Sequence, residues 1–162
     1  EGYGLLGSIM AVGSLAGALL AARRARPTMA VLIASLAAFT VLDIADALAP
    51  TYWLFAALLI PVGLTTLTAM TTANSLVQLT TDPGMRGRVM ALYMAVFMGG
   101  TPIGAPIIGG IGDTLGPRWT ILIGAFGVGV AVVIAAALEF RSGAWSGVAP
   151  WRRARPAASD LP

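Results

Sequence analysis

The sequence contains no cysteine, no histidine and no lysine among its 162 residues. Without cysteine there is no disulfide. Without cysteine and histidine there is no zinc site built on them, and no catalytic arrangement that needs an imidazole or a thiolate. Without lysine, all ten positive charges are arginine. Together with the abundance of alanine, this reads as the imprint of a GC-rich coding sequence. Charge of either sign is scarce, at 10% of residues, against about 25% in an ordinary soluble domain. A soluble protein of this length could not cover its surface with so few charges. What remains is apolar: 57% of residues are hydrophobic and the mean hydropathy is +0.85. The solvent that suits such a chain is a lipid bilayer.

The first residue is Glu1, and the first apolar run follows within a few residues, with no charged leader and no small-residue cleavage site. That pattern does not describe a signal peptide. It suggests the C-terminal piece of a longer chain. Crossing the hydrocarbon core takes about 20 apolar residues in a helix. Five segments qualify, at about 3–22, 29–48, 52–79, 88–111 and 119–140. They are too long for barrel strands and show no alternation, and open strands leave backbone groups unpaired in lipid. The expected fold class is therefore all-α integral membrane, with a helical bundle over 1–140. Residues 141–162, rich in Ala, Pro and Arg, are expected to form a disordered tail.

Five helices place successive connections on alternating sides. One side receives Arg23, Arg24, Arg26, Arg86, Arg88 and the tail arginines Arg141, Arg152, Arg153 and Arg155; the other receives only Arg118. The positive-inside rule makes the arginine-rich side and the tail cytoplasmic, in a cell membrane, with the start of the chain outside. The stretch DPGMRGRVMALY, from Asp82, then reads as a cytoplasmic hairpin. Asp82-Pro83-Gly84 turns the chain, Arg86 and Arg88 hold it inside, and the next span begins at once. Trp145 and Trp151 beside the tail arginines fit either an interfacial anchor for acidic headgroups or a solvated tail.

Two passages resemble each other. MAVGSLAGALLAARRARP, from Met10, and MGGTPIGAPIIGGIGDTLGPRW, from Met98, both carry Gly, three residues, Gly, then a turn with Pro and Arg. By parity these helices run in opposite directions, as in an inverted-topology repeat. Gly13 with Gly17 and Gly100 with Gly104 are expected helix contacts, because small residues at four-residue spacing let backbones approach. Pro102 and Pro106 remove backbone donors and should bend the fourth helix. The bend is either static or a point of flexing.

Few residues could carry chemistry. Asp43 and Asp46 lie three apart, on one face of the second helix. Asp43 is the deeper and the candidate proton site; the bland alternative places both near the outer interface, and for Asp46 that alternative is preferred. In the third helix Thr65, Thr68, Thr71, Thr72, Asn74, Ser75 and Gln78 share about half of the helix, a candidate pathway surface. Thr and Ser can instead bond their own helix carbonyls, which leaves Asn74 and Gln78 as the harder pair to hide. Glu139 and Arg141 end the fifth helix at an interface.

The chain resembles the major facilitator superfamily, in its drug- and siderophore-exporter-like subgroup, the transmembrane secretion effectors. The residues that carry the resemblance are Asp82, Arg86, Gly87, Arg88, Val89, Met90, Leu92 and Tyr93, followed by an outer turn of Gly109, Asp113, Gly116, Pro117 and Arg118. The resemblance implies helices eight to twelve of a twelve-helix transporter, with the N-terminal part of the same chain as partner. It also implies proton-coupled efflux of a small amphipathic molecule by alternating access. The loop ARRARPT has no acidic residue, a departure that speaks against a charge relay there. No metal, cofactor or nucleic acid is expected. Two other classes compete. GIGD, ending at Asp113, resembles an intramembrane aspartyl protease signature, with Asp43 as the second carboxyl; a non-transporting membrane scaffold is the other. GGIGDTLG also approaches a dinucleotide fingerprint, but it follows a membrane helix rather than a strand.

Overall fold

The computed structural model describes residues 2–23 and 27–142. The expectations placed on Arg24, Arg26, Trp145, Trp151, Arg152, Arg153, Arg155 and the tail from 143 lie outside the described residues. Within them the chain forms five helices: α1 Gly2–Ala22, α2 Met29–Ala47, α3 Tyr52–Thr80, α4 Arg86–Leu115 and α5 Pro117–Ser142. All five are long and apolar enough to cross a membrane, and no strand occurs among the described residues.

The helix limits have local causes. Thr28 and Thr51 are extended residues that cap α2 and α3, their hydroxyls accepting from the N–H groups of Val31 and Leu54 at 3.3 and 3.4 Å. Between α3 and α4, the Asp82 carboxylate accepts from Gly84 N at 2.9 Å and the Asp82 carbonyl accepts from Met85 N at 3.0 Å. This is a tight Asx-type turn. Helix α4 starts at Arg86, so Arg86, Gly87 and Arg88 occupy its first turn rather than a loop. Pro102 and Pro106 lie inside α4, which continues through both to Leu115. Gly116 alone separates α4 from α5; its φ is +95° and ψ 161°, a region closed to side-chain-bearing residues. Its N–H donates to Gly112 O at 3.0 Å. Pro117 then opens α5, where its missing N–H costs nothing.

Helix α3 is the centre of the packing: it lies along α1 on one side and α2 on the other, and α2 also lies along α5. Helix α4 packs on α5 and touches α3 only lightly. The buried apolar residues are small: Ala47, Ala49, Ala56, Val62, Ala69 and Ala125. Small residues let backbones meet where lipid offers no hydrophobic drive for helix association. The closest approach joins α1 and α3. A Cβ built on Gly13 would collide with the Ile60 carbonyl, one on Gly17 would stand 2.6 Å from Leu64 O, and one on Gly63 would stand 2.5 Å from Met10 O. The second glycine pair differs. Nothing stands within 4 Å of a Cβ built on Gly100 or Gly104, and no residue of α4 is buried. The two passages that look alike in sequence therefore sit in unlike surroundings in this chain.

Candidate functional site

The contact pattern leaves a bundle with two ends. One carries the turn at Asp82 and the arginines Arg23, Arg86, Arg88 and Arg141; the other carries the α2–α3 and α4–α5 connections. Candidate residues lie between these ends on α3 and at the second end on α2 and α5.

Along α3, Thr65, Thr68 and Thr72 are buried. Most α3 threonines return their hydroxyl protons to their own helix. Thr65 donates to Pro61 O at 2.9 Å and Val62 O at 3.0 Å, Thr71 to Leu67 O at 2.7 Å, and Thr72 to Thr68 O at 2.6 Å. Such bonds hide a hydroxyl in an apolar helix. Thr68 is the exception: it is 3% exposed and its Oγ1 has no partner among the described residues. It faces a cavity of about 240 Å³ shared with Ser35 and Thr65. Thr72 lines another, of about 310 Å³, with Thr71, Ser75 and Pro27. Asn74 is partly buried and Gln78 exposed, and they satisfy each other, Gln78 Nε2 donating to Asn74 Oδ1 at 3.2 Å. The polar half of α3 is thus divided: its threonines are packed inward and its amides pair near the arginine-bearing end.

At the opposite end the two aspartates of α2 separate. Asp43 is only partly buried. Asp46 is 3% exposed, and its Oδ1 has no hydrogen-bond partner among the described residues. The sequence reading favoured Asp43 for its depth and placed Asp46 near an interface; the structure adds that Asp46 is the more buried of the two. Depth along the helix was the guide there, whereas burial depends on which face the neighbours cover. Asp46 lies where α2, the start of α3 and the start of α5 converge around a cavity of about 290 Å³, walled also by Tyr52, Phe55 and Arg118. The Arg118 guanidinium crosses to α2, where Nη2 donates to Ala49 O at 3.1 Å. This satisfies a carbonyl beyond the helix end. Asp113 is exposed in the last turn of α4.

The protease reading finds no support in this arrangement. Asp113 lies exposed in the last turn of α4 and Asp43 on α2, and these two helices are not closely packed on each other. No group of three or more metal-binding side chains occurs among the described residues.

Comparison with known proteins agrees with the helical arrangement. No curated protein and no solved structure matches the chain. A family model does, that of the transmembrane secretion effectors of the major facilitator type, and it covers residues 1–157. With that match and five helices able to span a membrane, the chain belongs to the transmembrane secretion effector family of multi-pass membrane transporters.

Proposed function

We propose that the chain supplies helices eight to twelve of a proton-coupled exporter of small amphipathic molecules, working by alternating access in the cell membrane. The observation that carries this reading is the family match over residues 1–157 on a chain of five membrane-spanning helices. Arginine placement supports the orientation. The end with Arg23, Arg86, Arg88 and Arg141 is cytoplasmic, as is the tail, and the end with Arg118 faces outward. An odd number of spans then starts outside, as helix eight of such a fold does. Asp43 carries the coupling proton, because a carboxyl within a span costs about 2.5–3.5 kcal/mol on insertion scales at the centre and is kept there by function. Thr68, Thr72, Asn74 and Gln78 line the route toward the cytoplasmic end. The partner is the N-terminal half of the same transporter, since substrate sites in such folds lie between two halves.

The test is reconstitution of the full-length transporter in vesicles with a pH-sensitive dye, using ethidium and a catecholate siderophore as probes. Probe movement should be accompanied by opposing proton movement, and Asp43→Asn should remove the proton signal. Residues 1–162 alone should give none. Transport that persists without proton movement overturns the coupling, and proton flux through the fragment alone overturns the need for a second half.

A further inference from the structure

The cavity at the second end of the bundle has features that helix packing does not explain. Asp46 lines it, and its Oδ1 has no donor among the described residues, although the residue is only 3% exposed. A buried polar atom left without a partner costs about 1–3 kcal/mol, and more when charged. The N-terminal ends of α3, at Thr51, and α5, at Pro117, meet at the same cavity, and helix N-termini favour negative charge. The nearby cation, Arg118, donates from Nη2 to Ala49 O, and no N–H of its guanidinium bonds Asp46 Oδ1. The Thr51 hydroxyl oxygen accepts from Leu54 N, and its proton makes no bond to Asp46 Oδ1. The wall of the cavity therefore holds a carboxyl oxygen that still lacks a donor.

The walls narrow the class of that donor. Tyr52 and Phe55 contribute aromatic rings, and Tyr52 is braced edge-on by Trp53 at 5.7 Å between ring centroids. Aromatic faces attract organic cations. A bare metal ion needs several oxygen ligands, and the lining of this cavity offers a single carboxylate. A space of about 290 Å³ is at the lower end of small-molecule sites. It suits a compact amine rather than a drug-sized ligand.

We propose that Asp46, with Tyr52 and Phe55, forms a binding site for a small organic ammonium at the outward end of α2, α3 and α5. The ammonium donates to Asp46 Oδ1 while its carbon frame rests on the aromatic rings. Arg118 stands on the rim as a like charge, so it limits the site to a single positive group. The site does not depend on the transport reading, because ligand binding at equilibrium and proton flux succeed or fail separately.

The test is calorimetric titration of the full-length protein in lipid nanodiscs with benzylammonium, and with benzyl alcohol as the neutral partner of like size. Benzylammonium should bind saturably, at least tenfold more tightly than the alcohol. Asp46→Asn should weaken it at least tenfold, Asp113→Asn should leave it unchanged, and Arg118→Gln should leave it unchanged or tighten it. Equal affinity for the two probes overturns the proposal. So does binding that survives Asp46→Asn in full, or that is lost in Arg118→Gln. If Asp46→Asn does not fold, the comparison of charged and neutral probes on the unaltered protein still decides. Displacement of benzylammonium by equimolar sodium would reassign the site to an inorganic cation and likewise overturn it.

Discussion

Replacing Gly13 by alanine adds one carbon and two hydrogens, yet it should loosen the tightest contact in the bundle. In an exposed helix the change stabilises, because glycine is about 0.8–1.0 kcal/mol worse than alanine in a helix interior. At Gly13 the new carbon falls onto the Ile60 carbonyl, with Ile60 Cα 2.9 Å away. The obstruction is backbone, so no rotamer change relieves it. Helices α1 and α3 must part by roughly 1 Å, and a gap of about 0.5–1 Å forfeits a quarter to a half of each dispersion well along the seam. Overpacking of this kind costs about 1–3 kcal/mol. A clash with rigid backbone belongs in the upper part of that range, about 2–3 kcal/mol, so net of propensity we expect Gly13→Ala to destabilise by roughly 1–2 kcal/mol. Gly17→Ala should cost less, since its nearest approach is 2.6 Å, to Leu64 O. Gly100→Ala and Gly104→Ala meet nothing within 4 Å and should be neutral or stabilising. Thermal unfolding of the purified 162-residue chain in one detergent reads all four. If Gly13→Ala is as stable as the parent, or Gly100→Ala is equally damaging, the reasoning from close backbone approach is wrong.

Three further outcomes follow from local geometry. The chain has no native cysteine, so single substitutions report sidedness directly. Gly84→Cys should react with an impermeant maleimide only from the cytoplasmic face and Pro50→Cys only from the outer face, and the same labelling pattern for both would break the assigned topology. Gly116→Val forces a β-branched side chain into φ +95°; it should cost about 1–3 kcal/mol, seen as a lowered midpoint in thermal unfolding. Thr68→Val removes a hydroxyl that has no partner among the described residues and should leave stability unchanged or raised. A clear loss would mean that the hydroxyl is satisfied by something held in its cavity.

The helices were legible because their cause is local: long apolar runs, threonine caps and a Pro-Gly turn all lie within a few residues of the boundary they set. The limits of α4 were misplaced by a few residues because Arg86 and Asp113 read as loop residues by charge, whereas the helix ends only where Gly116 adopts a positive φ. What could not be read was which partner each face meets. Gly13 with Gly17 and Gly100 with Gly104 have the same spacing, but only the first pair finds a backbone against it in this chain. Gly63, which completes that contact from α3, lies among larger residues and has no spacing to betray it. Periodicity put Asp43 and Asp46 on one face and depth along the helix favoured Asp43; the start of α5, whose Arg118 bonds Ala49 from almost 70 residues away, converges on Asp46 instead. A signal was available in the sequence, in that Arg118 is the lone arginine of its side and Asp46 is close to the end of its helix.

Helices α2 and α3 are packed neighbours of 19 and 29 residues. At 1.5 Å per residue they differ in length by about 15 Å, so one hydrocarbon thickness of about 30 Å cannot match both. Helix α3 must lean or extend into the headgroups, while α2 barely reaches across. The short member is the one that ends at the Asp46 cavity, so bilayer thickness acts on the bundle there first. Thinner lipid relaxes the mouth of that cavity toward water, and thicker lipid draws acyl chains over it. Acyl-chain length is thereby built in as a variable that sets access to Asp46, with no change in any residue.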